Sequence, residues 1–578
     1  MSNNSYYAKP QGKSGLLLNQ WDLIILVLFF GLLAALVWGA QQMSAPYQLG
    51  SHIPISLDPS MLPRYAISTV IRMAIALLFS LLFTFTVATL AAKSPRAERF
   101  IIPFIDIMQS VPILGFLSIT ILAFIYLFPG SQLGPECAAI FAIFTSQVWN
   151  MALSFYQSLR TVPKELNEAA AMFHLSPWQR FWRLEVPFAT PSLIWNMMMS
   201  LSAGWFFVVA SEAISVNNQN ITLPGIGSYI YLATAQSDYK AIGYVILTMF
   251  IVITIYDQLL FRPLVAWSEK FKLESNPDTY TETWFLNLLQ RAQLTHYFLA
   301  MLKRLRELMT TPLFPKRQHR ELPPRVRQAL SWTAITFWNS ALLIAILASC
   351  FTLGRYIYTE VTFSEVLHVF WLGMITALKV GILIIISSII WVPIGVWIGL
   401  KPRVASIIQP IAQFCAAFPA NLVYPVIYML IVKYQLNVNV WSAPLIILGT
   451  QWYILFNVIA GASSLPQELH LVAQNYGLRG WLWWRKLILP GIFPFYVTGA
   501  MTAAGGSWNA TVVAEVVNWG GKTLHAVGLG SYITEQTMTG DFARIGLGIA
   551  VMSLYVIVIN RFVWHKLYEI AEERYHIG

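Results

Sequence analysis

Long apolar runs occupy most of this chain, and each is long enough to cross a bilayer. A membrane-spanning helix needs about 20 mostly apolar residues. Because a lipid-embedded backbone must satisfy its own hydrogen bonds, runs of this length predict helices. The sequence therefore predicts an all-α transmembrane protein with twelve membrane helices. Their expected positions are 21–40, 64–92, 101–129, 135–158, 190–212, 241–261, 332–354, 369–400, 404–432, 441–461, 491–514 and 543–563.

The composition agrees with a protein that spans a membrane several times. Hydrophobic residues make up 57% of the 578 residues and charged residues only 11%, whereas soluble domains carry about 25% charged residues. The 22 tryptophans suit side chains that anchor at bilayer interfaces. The three cysteines, Cys137, Cys350 and Cys415, have no metal-binding or redox spacing and are predicted to be small packing residues.

The net charge of +11 follows the predicted topology. Lysine and arginine concentrate in alternate connections, such as "KSPRAER" (93–99) and "KPR" (401–403), whereas the loops at 41–63 and 213–240 carry very few. Loops rich in Lys and Arg lie on the cytoplasmic side of a membrane. We therefore expect cytoplasmic N- and C-termini, and we attribute the charge to topology, with no nucleic-acid partner. The first run is interpreted as a retained helix because no convincing cleavage site follows it.

The two halves of the chain repeat each other. A shift of 303 residues superimposes a long stretch without a gap, and near the start of each half the shift becomes 307. Six helices per half is an even number, so the two halves have the same orientation and form a parallel repeat. The predicted domains are 1–263 and 332–578. Matching pairs include Pro163 with Pro466, Trp178 with Trp481, Glu212 with Glu515, Arg72 with Lys379 and Pro112 with Pro419.

The segment 264–331 joins the two halves. Its first part, "TETWFLNLLQRAQLTHYFLAMLKRLRELM", has apolar residues at helical spacing beside basic ones and predicts an amphipathic helix on the inner leaflet. Its second part, "TPLFPKRQHRELPPRVR", predicts an extended basic connector. We interpret the segment as a tether that contacts membrane lipids, with a regulatory role as the alternative.

A polar insert occurs twice, between the fourth and fifth predicted helices of each half. It reads "VPKELNEAAAMFHLSPWQRFWRLEVP" at 162–187 and "LPQELHLVAQNYGLRGWLWWRKLILP" at 465–490. Pro163 followed by Glu165 and Glu168 is typical of a helix start, and Ser176 before Pro177 disfavours helix continuation. One such insert is compatible with a plain connector. Two inserts in register, both on the predicted cytoplasmic side, indicate docking elements.

The insert resembles the EAA loop of permeases from binding-protein-dependent ABC importers. That motif has E-A-A, three residues, Gly and a later Leu-Pro. In the first half Glu168, Ala169, Ala170 and Pro187 fit it, with His174 in place of the glycine. In the second half Gly477, Leu489 and Pro490 fit it, but Leu471 and Val472 replace Glu and Ala. The stretches "QSVPILGF" (109–116), "VVASEA", "VVAEVV" and "LPGIGSYI" are similar to the nitrate, sulfonate and taurine branch of this family.

The resemblance covers most of the chain outside 264–331, and it implies two type I permease domains fused in one chain. The coupling loops would be 160–188 and 463–491, each docking on one of two cytoplasmic ATPase subunits that hold ATP and magnesium. The chain itself would bind no cofactor or metal and would not be an enzyme. An extracytoplasmic solute-binding protein would deliver a small anion such as nitrate, a sulfonate or bicarbonate across a bacterial inner membrane. The expected coupling residues are Glu165, Glu168, Ala169, Ala170, His174, Glu468, Ala473 and Gly477.

Two other interpretations were weighed. The segment "NWGGKT" (518–523) contains Gly-Lys-Thr, but the first glycine of a phosphate-binding loop would fall at Val516, so we do not predict a nucleotide site. An ion-gradient secondary transporter with six plus six helices is the alternative function. It predicts acids deep in the bilayer, whereas the acids here lie mainly near helix ends, and it leaves the paired inserts unexplained.

Ionisable residues inside the predicted helices recur in both halves. A charge at the centre of a membrane helix costs about 2.5–3.5 kcal/mol on insertion scales, so each one needs a partner or a watery path. Arg72 and Lys379 lie in the second helix of their halves, and Glu212 and Glu515 lie near the end of the fifth. We expect one cation–acid pair in each half, with attraction of an anionic substrate as the alternative. Two further candidates, for packing or for lining the pathway, are Trp205 and Trp508.

Overall fold

The computed structural model describes residues 19–43, 45–46, 53–216, 219–271, 283–292, 351–352 and 354–575, with isolated positions between 295 and 348. Most of the predicted basic connector and most of the predicted helix 332–354 lie outside the described residues. The described residues form two compact units. The smaller unit comprises the described residues within Met1–Trp38, Pro163–Pro191 and Gln258–Gln318. The larger unit comprises those within Gly39–Val162, Ser192–Asp257 and His319–Gly578. The larger unit thus contains parts of both sequence halves.

Helices dominate the first half. The α-helices are α1 (Gln20–Met43), α2 (Leu62–Phe83), α3 (Thr89–Lys93), α4 (Pro95–Ser110), α5 (Ile113–Leu127), α6 (Leu133–Arg160), α7 (Lys164–Met172), α8 (Pro177–Arg180), α9 (Val186–Glu212), α10 (Ile226–Ala235), α11 (Tyr239–Tyr256), α12 (Arg262–Ser268) and α13 (Trp284–Arg291). Short 3-10 turns lie at Pro59–Met61 and Glu269–Phe271.

The second half repeats this order. Its α-helices are α14 (Phe363–Gly399), α15 (Pro402–Ala417), α16 (Tyr424–Lys433), α17 (Val438–Trp441), α18 (Ala443–Leu448), α19 (Gln451–Ser463), α20 (Gln467–Asn475), α21 (Gly480–Trp483), α22 (Leu489–Ala514), α23 (Leu529–Thr539), α24 (Phe542–Ile559) and α25 (His565–Tyr575). A 3-10 turn at Ala420–Leu422 precedes α16.

Caps and π turns also repeat. Asp238 accepts hydrogen bonds from the backbone at the start of α11, and Asp541 does the same at the start of α24. Five-residue π segments lie at Thr84–Ala88, Phe181–Glu185, Asp257–Phe261, Trp484–Ile488 and Asn560–Trp564. The second and fourth correspond through the repeat, as do the third and fifth. Equivalent positions in the two halves thus fold in the same local way.

The membrane helices agree with the predicted class, but several are broken. Seven described helices are long and apolar enough to cross a membrane, and up to ten spans result if each of three bent pairs counts as one. Two predicted runs remain. The run 21–40 falls in α1, where the apolar helix Gln20–Gly31 is shorter than a membrane span. The run 332–354 lies largely outside the described residues. The seven are Pro59–Lys93, Leu133–Arg160, Pro177–Glu212, Tyr239–Phe271, Phe363–Gly399, Gly480–Ala514 and Phe542–Ala571.

Three runs expected to be continuous helices are bent. The run 101–129 is Pro95–Gln109 followed by Ile113–Leu127 at 91°, and 404–432 is Pro402–Ala417 followed by Ala420–Lys433 at 71°. Each break lies at one of the repeated prolines, Pro112 and Pro419. Proline removes a helical N–H and holds the preceding residue extended, as at Val111, with φ −79° and ψ 126°. The run 441–461 bends by 42° between Val438–Leu448 and Gln451–Ser463.

Each half also contains a β-hairpin that the sequence analysis did not predict. Strand β1 (Ala213–Val216) pairs antiparallel with β2 (Gln219–Thr222), with Ala213 opposite Thr222. Strand β3 (Val516–Trp519) pairs with β4 (Lys522–His525), with Val516 opposite His525. Both glycines between β3 and β4 have positive φ, 55° at Gly520 and 75° at Gly521, which a two-residue type I′ turn requires.

Within the larger unit, contacts join the two halves directly. The Gly520 N–H donates to the Thr234 carbonyl at 3.2 Å, and the Trp519 ring lies 5.5 Å from that of Tyr239. A buried cluster in the second half packs α14, α15 and α19 together, with Ile398, Ala405, Ala412, Leu455 and Ile459 at its centre.

Candidate functional site

The first polar insert folds as two short helices joined by a tight turn. Glu165 and Glu168 lie on α7 with exposed side chains, Ala169 is half-buried and Ala170 is buried. Met172 and Phe173, at the end of α7, are 80% and 79% exposed. Ser176 caps α8 in a capping box with Gln179. The insert therefore presents two acids and a large apolar tip.

The second insert has the same backbone with a different surface. Glu468 in α20 is exposed and Ala473 is 3% exposed. Leu471 and Val472, where the first insert has Glu168 and Ala169, are 59% and 48% exposed. Tyr476, the equivalent of Phe173, is 80% exposed. The exposed face of α20 is thus more apolar than that of α7.

His174 and Gly477 share one backbone conformation, which explains why the motif favours glycine there. Their φ angles are 49° and 65°, in the left-handed region. In both inserts the next residue closes the turn: Leu175 N–H donates to the Ala170 carbonyl at 3.1 Å, and Leu478 N–H to the Ala473 carbonyl at 2.9 Å. This is the helix-ending geometry in which glycine is preferred. Histidine adopts it in the first insert with the same hydrogen bonds.

Each insert leads directly into the fifth helix of its half. We expected a separate short helix and then a new helix starting near residue 190, but Pro177–Glu212 is one span through the π segment Phe181–Glu185. Gly480–Ala514 likewise passes through Trp484–Ile488. Pro187 and Pro490 each follow two residues after their π segment, and π turns and prolines both bend helices without ending them. We call this end of α9 and α22 the insert side and the other end the hairpin side.

A buried ion network lies at the hairpin side of the first half. The Arg72 guanidinium donates to both oxygens of Glu136, at 2.6 and 2.7 Å, and to Glu212 Oε1 at 2.7 Å. It also donates to the Pro224 carbonyl at 3.0 Å. The three charged side chains are at most 2% exposed. Such a network holds α2, α6, the end of α9 and the turn before α10 together.

Neutral donors complete the coordination of Glu212. Thr69 Oγ1 donates to Glu212 Oε1 at 2.7 Å and the Gly227 N–H to Oε2 at 2.7 Å. The Glu212 carboxylate also lies where a Cβ on Gly225 would be. Gly225 and Gly227 occupy the N-cap and first turn of α10. A Cβ on Gly227 would overlap the Val209 carbonyl oxygen, so neither position has room for a side chain.

The second half contains a reduced version of the same network. Lys379 Nζ contacts Glu515 Oε1 at 3.0 Å and the Val527 carbonyl at 2.6 Å. The Ser531 N–H donates to Glu515 Oε2 at 3.1 Å. Lys379 is 15% exposed and Glu515 is fully buried. Gly528 and Gly530 start α23 as Gly225 and Gly227 start α10.

Glu136, which was not among the predicted site residues, makes the two networks unequal. The shift of 303 residues pairs it with Asn439, whose Oδ1 accepts from the Val527 N–H at 2.6 Å. The first network thus combines one cation with two acids, and the second one cation with one acid. The signal was available, since an acid at the start of the run 135–158 needs a partner.

Trp205 and Trp508, the candidates for packing or for lining the pathway, are both buried. They are 1% and 3% exposed, and the Trp205 ring meets Tyr256 edge-on at 5.5 Å.

Among the described residues, no cluster of three His, Cys, Asp or Glu side chains has metal-binding geometry. The segment "NWGGKT" forms the turn and flanks of the hairpin β3–β4, which lacks the strand-to-helix turn of a phosphate-binding loop.

Together, the duplicated spans, the paired inserts and the buried ion networks define a duplicated multi-pass membrane protein. A family model described as "Binding-protein-dependent transport system inner membrane component" matches residues 84–262 and 391–565, once in each half and over more than half of the chain. The chain belongs to this family. Its members are components of transport systems, which favours the first sequence hypothesis over the ion-gradient alternative.

Three curated relatives illustrate the family. The chain is 26% identical over 195 residues to a bicarbonate transport system permease protein of Synechococcus elongatus and to a nitrate import permease protein of Leptolyngbya laminosa. Each alignment covers 34% of this chain and 66% of the relative, just under two thirds. It is 28% identical over 191 residues to a glycine betaine/carnitine transport permease protein of Listeria monocytogenes, covering 32% of this chain and 58% of the relative.

Proposed function

We propose that this chain forms the complete membrane pathway of an ATP-driven importer for a small inorganic or organic anion. The observation that carries the proposal is the pair of inserts, which share one backbone, precede the same helix in each half and expose their tips. Two equivalent docking elements suit two ATPase subunits, and the predicted domains 1–263 and 332–578 supply one element each. Similarity to bicarbonate and nitrate permeases supports an anion, and the betaine relatives make a zwitterion the substrate to test against it.

The proposed topology follows from the charge pattern. The insert side would face the cytoplasm of a bacterial cell with both termini, and the hairpin side would face the solute-binding protein. ATP and magnesium would bind to the ATPase subunits. Ion pairing of Arg72 and Lys379 supports a structural role, so substrate attraction would have to come from elsewhere.

The two inserts would engage their ATPase subunits through different chemistry. The first insert offers exposed carboxylates at Glu165 and Glu168, whereas the second keeps an exposed carboxylate at Glu468, the equivalent of Glu165, and has the exposed Leu471 in place of Glu168. A contact based on exposed charges weakens with salt, and an apolar contact does not. We call the contact of each insert with its ATPase subunit a socket. The two sockets would therefore differ in salt sensitivity and in coupling strength.

Affinity purification of the tagged chain with mass spectrometry tests the proposal. We expect a P-loop ATPase to be recovered with the parent and lost with Glu168→Lys, which reverses one exposed insert charge. The matched control is Glu573→Lys, the same change at an exposed position of α25, the C-terminal helix, and it should recover the ATPase normally. A clean preparation without ATPase that still transports solute down an ion gradient would contradict the proposal.

Exchanging the insert chemistry tests the unequal sockets. Glu168→Leu should make ATPase recovery less sensitive to salt, and Leu471→Glu should make it more sensitive. Identical salt profiles for both variants and the parent would show that the two sockets are equivalent.

A further inference from the structure

The fifth helices of the two halves, α9 and α22, contain no cation. α22 has no charged residue at all, and the sole charge of α9 is Glu212, which Arg72 already binds. On these two helices, an anion would therefore meet neutral hydrogen-bond donors and no cation. This step rests on the proposed function, because it takes the transported solute to be an anion.

α22 presents a line of exposed positions at helical spacing, which we call the polar wall. Thr498, Thr502 and Gly505 are exposed and Asn509 is half-exposed. The spacing of four, three and four residues places them on one face of a helix. A Cβ added at Gly505 would meet no atom within 4 Å, so open space adjoins the wall.

Contacts between the halves show which way this face points. Asn509 Oδ1 accepts from the Ile113 N–H at 2.7 Å, at the helix break of the first half. A neighbouring contact joins the corresponding elements of the other pair, since Asn421 Nδ2 donates to the backbone carbonyl of Phe206, the equivalent of Asn509, at 3.0 Å. Asn509 is therefore directed toward the first half, and Thr498 and Thr502 lie on the same face of α22.

The equivalent face of α9 is bulky and largely apolar. The shift of 303 residues pairs Thr498 with Trp195, Thr502 with Met199 and Asn509 with Phe206. Trp195 is 40% exposed and stacks on Phe456 of the second half at 5.3 Å. We call these three residues the apolar wall. Equivalent positions of the two fifth helices thus have hydrogen-bonding side chains in the second half and apolar side chains in the first.

We propose that the polar wall is the anion-recognition surface of the pathway, with Thr498, Thr502 and Asn509 as donors and the apolar wall as a steric limit on size. Each threonine hydroxyl now donates to the carbonyl four residues earlier, at 3.0 Å for Thr498 and 2.8 Å for Thr502. Rotation about one bond turns that proton toward the open space. The two halves therefore contribute unequally: the second recognises the solute and the first confines it.

Uptake by the chain reconstituted with its ATPase and binding protein tests this inference, with nitrate, bicarbonate and glycine betaine as probes. Thr498→Val and Thr502→Val keep the shape and remove the donor, and each should reduce anion uptake about tenfold, as for a lost hydrogen bond to a charged group. The control is Thr248→Val on α11, where the hydroxyl makes the same backward bond at 2.8 Å beside exposed Leu247 and Ile251. It should keep parental uptake.

Filling the open space gives a second, independent readout. The Cβ of Gly505→Leu would meet no neighbouring atom within 4 Å, so the variant should fold and should block uptake. Gly381→Leu is the matched control: Gly381 also has no atom within 4 Å of an added Cβ, and it lies among exposed Leu378, Ile382 and Ile385 on a face suited to lipid. Its uptake should be unchanged.

The outcomes separate the two claims. Parental uptake of nitrate or bicarbonate with loss in the threonine variants and in Gly505→Leu supports the inference. Parental anion uptake with unchanged threonine variants overturns the inference and leaves the proposed function intact. If the parent takes up glycine betaine and not the anions, the proposed function and the inference about the polar wall are both wrong. That result is visible in the parent, without any variant. Normal uptake by Gly505→Leu shows that the wall does not line the pathway.

Discussion

Exchanging the charges of Arg72 and Glu212 should fail to restore the first-half network, because Glu136 stays in place. In the double variant R72E/E212R, the new carboxylate at position 72 faces Glu136, which the Arg72 guanidinium now contacts at 2.6 and 2.7 Å. Two like charges about 4 Å apart repel by about 4 kcal/mol at an effective dielectric constant of 20. That corresponds to about a thousandfold in a folding equilibrium.

The second half provides the matched comparison. In the double variant K379E/E515K, the position equivalent to Glu136 is occupied by the neutral Asn439. Both exchanges lose a backbone donor to the original carboxylate, from Gly227 in one half and Ser531 in the other, so this cost is common to both. We expect K379E/E515K to recover more of the parental stability, relative to its single variants, than R72E/E212R does.

The assay is the monodisperse fraction after detergent extraction, together with the half-life at a raised temperature, because unfolding of such a protein is expected to be irreversible. Adding Glu136→Gln to R72E/E212R removes the repulsion and should raise its recovery toward that of K379E/E515K. Equal recovery of the two double variants, with no gain from Glu136→Gln, would refute the reasoning that Glu136 is an energetic partner of Arg72.

Three further perturbations follow from the same geometry. Positions 174 and 477 both have a left-handed backbone, which favours glycine. His174→Gly should therefore raise the free energy of local opening of the first insert, measured by hydrogen exchange, by about 1 kcal/mol, and Gly477→Ala should lower that of the second insert by a similar amount. Changes of the opposite sign would contradict the turn geometry. Gly225→Ala should abolish folded yield in detergent, since its Cβ would occupy the Glu212 carboxylate position, and normal yield would show that the network can shift. The Gly520 Cβ position lies 2.7 Å from Ser237 Oγ, so S237C/G520C in a cysteine-free background should form a disulfide that joins the two halves at the hairpin side. Oxidation should stop uptake and a reductant should restore it, with S237C alone as the control. Uptake that survives verified cross-linking would show that the hairpin side need not open there.

The sequence predicted the features that depend on local pattern. Apolar length predicted the membrane class, and the repeat brought the Arg72–Glu212 and Lys379–Glu515 pairs to attention before any distance was known. The roles of the insert residues, the domain boundaries and the partners remain predictions, since they depend on chains absent from the structure.

The missed features depend on contacts between distant residues or on competing local signals. Glu136 is 64 residues from Arg72, and it lies at the start of the apolar run 135–158, where an acid also suits the first turn of a helix. The breaks at Pro112 and Pro419 lie inside strongly apolar runs, where hydropathy outweighed the backbone effect of proline. Gly520 and Gly521 are a turn signal for a hairpin, but four-residue strands next to a long apolar helix give too short an alternating pattern to be recognised.

The π segment at Trp484–Ile488 is a point about which α22, the fifth helix of the second half, can tilt as a rigid rod. From Leu489 to Ala514 the helix has 26 residues and is about 39 Å long at 1.5 Å per residue. A tilt of about 5° around the π segment would displace the far end by about 3 Å on that length, comparable to the 3.0 Å that separates Lys379 Nζ from Glu515. A small rotation where the insert meets the helix is therefore sufficient to separate this ion pair at the opposite face.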